Sequence, residues 1–197
     1  MRVIFIFIVF VYHLIDGSLY ASQIEKNKVK NMDIVKILCD GDLALIQHWL
    51  KEGGNPNLEV AGGYTPLTLI TSEPHCSNSR TNKIVELLLD NGANVNWKDK
   101  NGTPPIVAAA QGGAGEGVIR LYLSRNVNVN AVDARGYNAL MIFALSGREG
   151  TLKEVKFFIE IGVNPSVIAP DGHSALKWIP FAKYPEAHNL IREFQKK

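Results

Sequence analysis

The sequence has little of what marks a catalyst or a nucleic-acid binder. Of 197 residues only 2 are cysteine and 5 histidine, and the formal net charge is +2. His75-Cys76 is the one close His/Cys pair, and it lacks the second pair that a structural zinc site needs. No metal or cofactor is expected. So balanced a charge gives no electrostatic case for nucleic acid. The basic clusters Lys26-Lys28-Lys30 and Lys196-Lys197 read as solvated tails. The glycine-rich run 112–117 lacks the Gly-Lys-Ser/Thr ending of a phosphate loop and follows a helical segment, not a strand, so it reads as a connection between helices. No nucleophile-elbow pattern appears. The chain is expected not to be an enzyme.

Long apolar runs are also scarce, with a single exception. Val3 to Val11 is uninterrupted, preceded by Met1-Arg2 and followed by the small residues Gly17-Ser18 and Ala21-Ser22. That order of charge, apolar run and small residues is the grammar of a secretory signal peptide. The run is shorter than the roughly 20 residues of a spanning helix, which leaves a permanent anchor as the alternative. Residues 1–21 are therefore predicted as a signal peptide and 22–31 as a linker. The mature chain is expected in the periplasm or secreted, with no membrane association after cleavage. Export gives the cysteines meaning, because an oxidising compartment lets Cys39 and Cys76 pair. Two separate thiols are the alternative, since connectivity needs geometry.

What the sequence does have is a repeated phrase. Gly53-Gly54-Asn55-Pro56-Asn57 precedes Gly63-Tyr64-Thr65-Pro66-Leu67, and Gly92-Ala93-Asn94-Val95-Asn96 precedes Gly102. Asn126-Val127-Asn128-Val129-Asn130 precedes Gly136, and Gly162-Val163-Asn164-Pro165-Ser166 precedes Gly172. In all four copies the first residue lies 10 positions before the later glycine. Those later glycines are spaced 39, 34 and 36 apart, which is a unit of about 33 residues with insertions. A fixed interval of this kind marks a stack of units.

The positions carry their own logic. Thr65 is a natural N-cap, and Pro66 sits in the first turn, where its missing N–H costs nothing. Gly92 follows a second helix, Ile84 to Leu89, where a left-handed residue lets the chain turn out. Asn126 takes that place in the next unit as the usual non-glycine choice. Asp99 to Gly102 and Asp133 to Gly136 read as tight hairpin tips. Trp49, Leu50, Leu88, Leu89, Phe157 and Phe158 fall where second helices pack, and read as core.

On the Gly-x-Thr-Pro-Leu opening at 63–67 and the Leu-Leu-x-x-Gly-Ala-x-x-Asn close at 88–96, the chain resembles the ankyrin repeat family over about residues 30–197. The resemblance implies an all-α repeat solenoid of helix-turn-helix pairs with projecting β-hairpin loops. About five units are expected: a capping repeat at 32–57, a repeat with an inserted loop at 58–96, repeats at 97–130 and 131–166, and a second cap at 167–197. Departures are visible. Pro104 stands where the capping Thr is expected, while Asn138 and Ser174 keep a capping side chain but lose the proline. Pro180 and Pro185 are expected to shorten the last unit's first helix and restart its second. The segment Ser72 to Lys83 is longer than the template, and the 112–117 and 147–150 loops are read as enlarging the same edge.

Binding of one protein partner on the concave face is what the resemblance implies. The register assigns Tyr64, Lys100, Asn101, Thr103, Arg135, Tyr137, Asp171 and His173 to that face, with Glu73 and Gln111 at the ends of first helices extending it. Tyr64 and Tyr137, with Arg135 between, are the expected anchors, because Tyr and Arg are enriched at interface hot spots. Solvated tips, with each Tyr packed on its neighbour, are the plain alternative. Trp97 begins a tip as a packing residue or an exposed contact. Similarity to small exported bacterial proteins of this family gives the sharpest expectation, an immunity protein that binds and inhibits a secreted toxic effector. An accessory stabilising a periplasmic enzyme and a secreted host-directed ankyrin protein are the alternatives.

Overall fold

A computed structural model of the protein describes residues 33–76, 79–147 and 151–196. The predicted signal peptide and linker, and most of the 147–150 loop, lie outside the described residues. Ten α-helices, one short 3-10 turn and no strand occur among the described residues. They fall into five consecutive pairs. The pairs are α1 (Ile34–Asp40) with α2 (Leu43–Lys51), α3 (Pro66–Ser72) with α4 (Thr81–Asp90), and α5 (Pro105–Gly112) with α6 (Glu116–Leu123). They continue with α7 (Ala139–Leu145) and α8 (Thr151–Glu160), then α9 (Ala175–Trp178) and α10 (Pro185–Phe194).

First helices stack in one row, α1 on α3, α3 on α5, α5 on α7 and α7 on α9. Second helices form another row, α2 on α4 and α4 on α6, with α8 on α10. The three inner helices of the first row are buried almost all round: every residue from Pro66 to Ser72, from Pro105 to Ala110 and from Ala139 to Ala144 is buried. The second row buries one stripe each, such as Ile84, Val85, Leu88 and Leu89 of α4. That difference follows from position, since a first helix has neighbours on both sides and a partner behind. Trp49, Leu50, Leu88, Leu89 and Phe158 are buried as core, and Phe157 is partly buried against it.

Small residues let the first row close up. Ala108, Ala109 and Ala110 are buried on α5, and Gly112 ends it. A Cβ on Gly112 would stand 1.7 Å from the Thr71 carbonyl oxygen, so no larger residue fits between these backbones. The connection after it is short: only residues 113–115 separate α5 from α6, whereas residues 73–80 separate α3 from α4. The 112–117 segment therefore does not enlarge the edge; its glycines permit close packing and a tight turn. The inserted loop after α3 is the longest connection within a helix pair.

Caps follow the sequence with one correction. Thr65 forms a reciprocal box with Thr68: the Thr68 N–H donates to Thr65 Oγ1 at 3.2 Å, and the Thr65 N–H donates to Thr68 Oγ1 at 2.8 Å. Pro104 caps α5 with no side-chain bond. Asn138 Oδ1 accepts from the Met141 N–H at 3.0 Å. Ser174 makes no capping bond, contrary to its residue type, and α9 is only four residues long before Pro180. The helix exits adopt the left-handed backbone, with φ of 88° at Gly92 and 57° at Asn126.

The Asn-x-Asn phrase has a physical meaning that the fold exposes. In each unit the first Asn folds locally, its Oδ1 accepting the N–H two residues on, as from Asn57 to Asn55 and from Asn96 to Asn94, both at 2.9 Å. The second Asn reaches across. Asn57 donates to the Gly92 carbonyl at 2.9 Å and accepts from the Asn94 N–H at 2.7 Å. Asn96 repeats both bonds to Asn126 and Asn128, and Asn130 to Gly162 and Asn164. The final copy has Ser166 in this place, and the described residues continue the ladder no further.

Candidate functional site

The expected hairpins are tight turns rather than strands. Each is closed by two backbone bonds at 2.8 to 3.1 Å: one from Val60 N–H to Tyr64 O, Asp99 to Thr103, Asp133 to Tyr137 and Ala169 to His173, and one from the tip glycine N–H back to the carbonyl of that first residue. Two of the tips carry an internal carboxylate brace. Asp99 Oδ1 accepts the N–H groups of Asn101 and Thr103, both at 2.9 Å. Asp133 Oδ1 accepts those of Arg135 and Tyr137, also at 2.9 Å. Both aspartates are buried, at 7% and 8% exposure. In the sequence they stand out from other turn residues by one signal, their shared place three before the tip glycine.

Beyond the shared brace, the two tips differ. Asp133 Oδ2 receives Nε and Nη2 of Arg135 at 2.9 and 2.7 Å, and the guanidinium lies 4.5 Å from the centroid of the Tyr137 ring. In the preceding tip the equivalent of Arg135 is Asn101, whose amide is turned away to the Gly62 carbonyl at 3.2 Å. Asp99 Oδ2 is consequently buried with no hydrogen-bond partner.

The predicted residues separate into a framework and a presented surface. Tyr137 is 5% exposed, which moves it from expected anchor to framework. Its hydroxyl donates to Asp171 Oδ2 and lies 3.0 Å from His173 Nδ1, and its ring packs 5.3 Å from that of Trp178. Lys177 Nζ meets His173 Nε2. On the other side of the ring, His173 Nδ1 lies 3.0 Å from Asp171 Oδ2. The hydrogen bond from Tyr137, helped by the His173 backbone N–H, holds the Asp171 carboxyl below its ordinary range. The same bond raises the Tyr137 phenol.

Tyr64 is half-buried, its hydroxyl donating to Glu73 Oε1 at 2.7 Å. That bond first, and burial second, raise its pKa above the ordinary phenol value. Glu73 thus joins Tyr64 at the root of the inserted loop, with His75 Nδ1 3.7 Å from its other oxygen. Lys100, Asn101, Arg135 and Asp171 are exposed, Thr103 and His173 partly so, and Gln111 is exposed at the end of α5. Lys100 pairs with Glu59 at 3.3 Å across neighbouring tips. A cleft of about 430 Å³ opens there, lined by Leu58, Tyr64, Trp97, Lys98 and Asp99 among others. Trp97 is 52% exposed on its wall, and so is a surface residue rather than a packing one.

Cys39, in the last turn of α1, is disulfide-bonded to Cys76 in the inserted loop. The bond ties that loop back to the first unit, and both sulfurs are committed to it. No helix among the described residues is long and apolar enough to cross a membrane.

Residues 88–144 match the family described as ankyrin repeats (many copies), and residues 62–100 match the ankyrin repeat. Among curated proteins, the ankyrin repeat, SAM and basic leucine zipper domain-containing protein 1 of Atelerix albiventris is 31% identical over 121 residues. That alignment covers 60% of this chain and 24% of the relative, and the proteins of that name from Carollia perspicillata and Mus musculus give the same figures. The chain spans about a quarter of the length of these relatives. Stacked helix pairs, tips at a constant register and these matches together show that residues 62–144 are built of ankyrin repeats, a type of module that binds proteins.

Proposed function

We propose that this protein holds one protein partner on the concave face formed by its tips, and that it acts outside the cytoplasm by occluding a secreted toxic effector. The observation that carries the binding reading is the state of Arg135. Its side chain is 55% exposed, yet Asp133 and the ring of Tyr137 fix it in one place. An arginine held so needs to lose little conformational freedom on binding, which favours affinity. Lys100, Asn101 and Asp171 extend the same surface with both signs of charge, the means by which an interface selects its partner. Export is supported by the apolar run at Val3 to Val11 and, independently, by the Cys39–Cys76 bond, since disulfides persist in oxidising compartments.

The test is co-purification from the extracytoplasmic fraction, using the wild type and a variant with Lys100→Ala, Arg135→Ala and Asp171→Ala together. Loss of the partner is expected with the triple variant; undiminished capture overturns the assignment of the face. The captured partner is then assayed with equimolar protein. Abolished activity supports an immunity role, whereas preserved or raised activity refutes it and leaves an accessory.

A further inference from the structure

The two braced tips are near-copies, and one of them is incomplete. In the tip at 133–137 both oxygens of the aspartate are used: Oδ1 by two backbone N–H groups, Oδ2 by the guanidinium of Arg135. In the tip at 99–103 the Oδ1 bonds are the same, while Oδ2 has none. A buried carboxylate oxygen without a donor is costly, and in native proteins such groups are few. None of the three neighbouring polar side chains with defined bonds supplies one. Asn101 is too short and is committed to Gly62, Lys100 is committed to Glu59, and Tyr64 donates its hydroxyl to Glu73.

The surroundings of Asp99 are those of a receptor. It lines the 430 Å³ cleft, whose walls carry the ring of Tyr64 and the half-exposed indole of Trp97. A flat cation that forks onto a carboxylate and lies on an aromatic face is a guanidinium, and Arg135 on Asp133 and Tyr137 shows this arrangement one unit away. We propose that the cleft receives an arginine side chain of the protein partner, which completes Asp99 as Arg135 completes Asp133. Lysine is disfavoured, because an ammonium is a compact point charge without the planar fork. Lys98 also borders the cleft and is the internal competitor for Asp99. The proposal rests on the tip face being the binding face, and names the partner chemistry there.

The probe is N-acetyl-arginine amide, titrated into the full chain while the Trp97 indole and Thr103 amide signals are followed by NMR, with N-acetyl-citrulline amide as the neutral isostere. Saturable binding in the millimolar range is expected for the arginine compound, and about tenfold weaker or no binding for citrulline. Asp99→Asn keeps an oxygen for the two N–H groups of the turn but replaces the other oxygen by a donor, so binding is expected to fall by about tenfold or more. Asn101→Arg copies the next tip and is expected to fill Asp99 from within, abolishing binding. Lys98→Gln is expected to leave binding equal or tighter. Equal binding of citrulline, retained binding in Asn101→Arg, or no saturable shift in both the wild type and Lys98→Gln overturns the proposal. The titration needs no partner, so its failure is separate from failure of the co-purification test.

Discussion

Asn96 clamps Asn128: its side-chain oxygen accepts the Asn128 N–H at 2.7 Å, while its amide donates to the Asn126 carbonyl at 3.1 Å. One side chain thereby satisfies two backbone groups of the following unit. Replacing it by Ala leaves both without their partner, and the expected loss is about 1–3 kcal/mol. Urea unfolding of Asn96→Ala beside Ser166→Ala checks this. Ser166 holds the same register but takes no side-chain part in the ladder, so its variant should stay close to the wild type.

Tyr137→Phe isolates the hydroxyl that depresses Asp171. A carboxyl whose folded pKa lies below its ordinary 3.8 adds stability that is present above that value and disappears as pH falls through the folded pKa. The wild-type advantage over Tyr137→Phe is therefore expected to be constant at neutral pH and to shrink below about pH 4. At the other end, the raised Tyr137 phenol adds stability present below its ordinary 10.0 and lost as pH rises through the folded pKa. Denaturant midpoints from pH 3 to 7 and from 9 to 11 give both limbs; a pH-independent difference refutes the linkage.

Thr65→Ala removes the bond that Thr65 Oγ1 accepts from the Thr68 N–H, leaves the one its own N–H donates to Thr68 Oγ1, and should destabilise the second unit by about 1 kcal/mol. The cost belongs to that unit specifically, since the α5 start has no side-chain cap to lose. Amide exchange in α3, compared with α7, reads it locally.

Gly112→Ala places a methyl where the Thr71 carbonyl oxygen stands. The α3–α5 stack must part, at an expected cost of about 1–3 kcal/mol or more. Gly115→Ala, three residues on, meets nothing within 4 Å and serves as the control. Thermal melts of the pair decide whether the glycine is required for packing or only for the turn.

Reduction of Cys39–Cys76 releases a 37-residue crosslink. Chain-entropy reasoning gives a loss of about 2–4 kcal/mol. A Cys39→Ala, Cys76→Ala double variant should melt as the reduced wild type does, and should not respond to reductant.

Much of the fold was legible because a repeat states the same physics several times. The constant ten-residue interval placed Gly92 and Asn126 at left-handed exits and Gly102 and Gly136 at tips, and the structure has positive φ at all four. Thr65 and Pro66 announced a capped helix start through local chemistry alone. Legibility failed where an outcome depended on a neighbouring unit. Ser174 has the right type for a cap but makes no bond, and Gly112 looked like part of a flexible connection while its place is set by Thr71.

The candidate face divides the same way. Sequence by itself determined the register, and with it which residues stand at the tips: Lys100, Asn101, Arg135 and Asp171 are there because the interval is fixed. Only the tertiary structure decided what each one does. Tyr64 and Tyr137 occupy equivalent positions, yet one is half-buried against Glu73 and the other is sealed beneath Arg135, Asp171 and Trp178. Likewise Asp99 and Asp133 read alike, and only the packed tips show one carboxylate completed and the other waiting for a donor. Local backbone conformation depends on neighbours in sequence, which a repeat displays; burial and pairing depend on the unit stacked alongside, which differs at every step of the array.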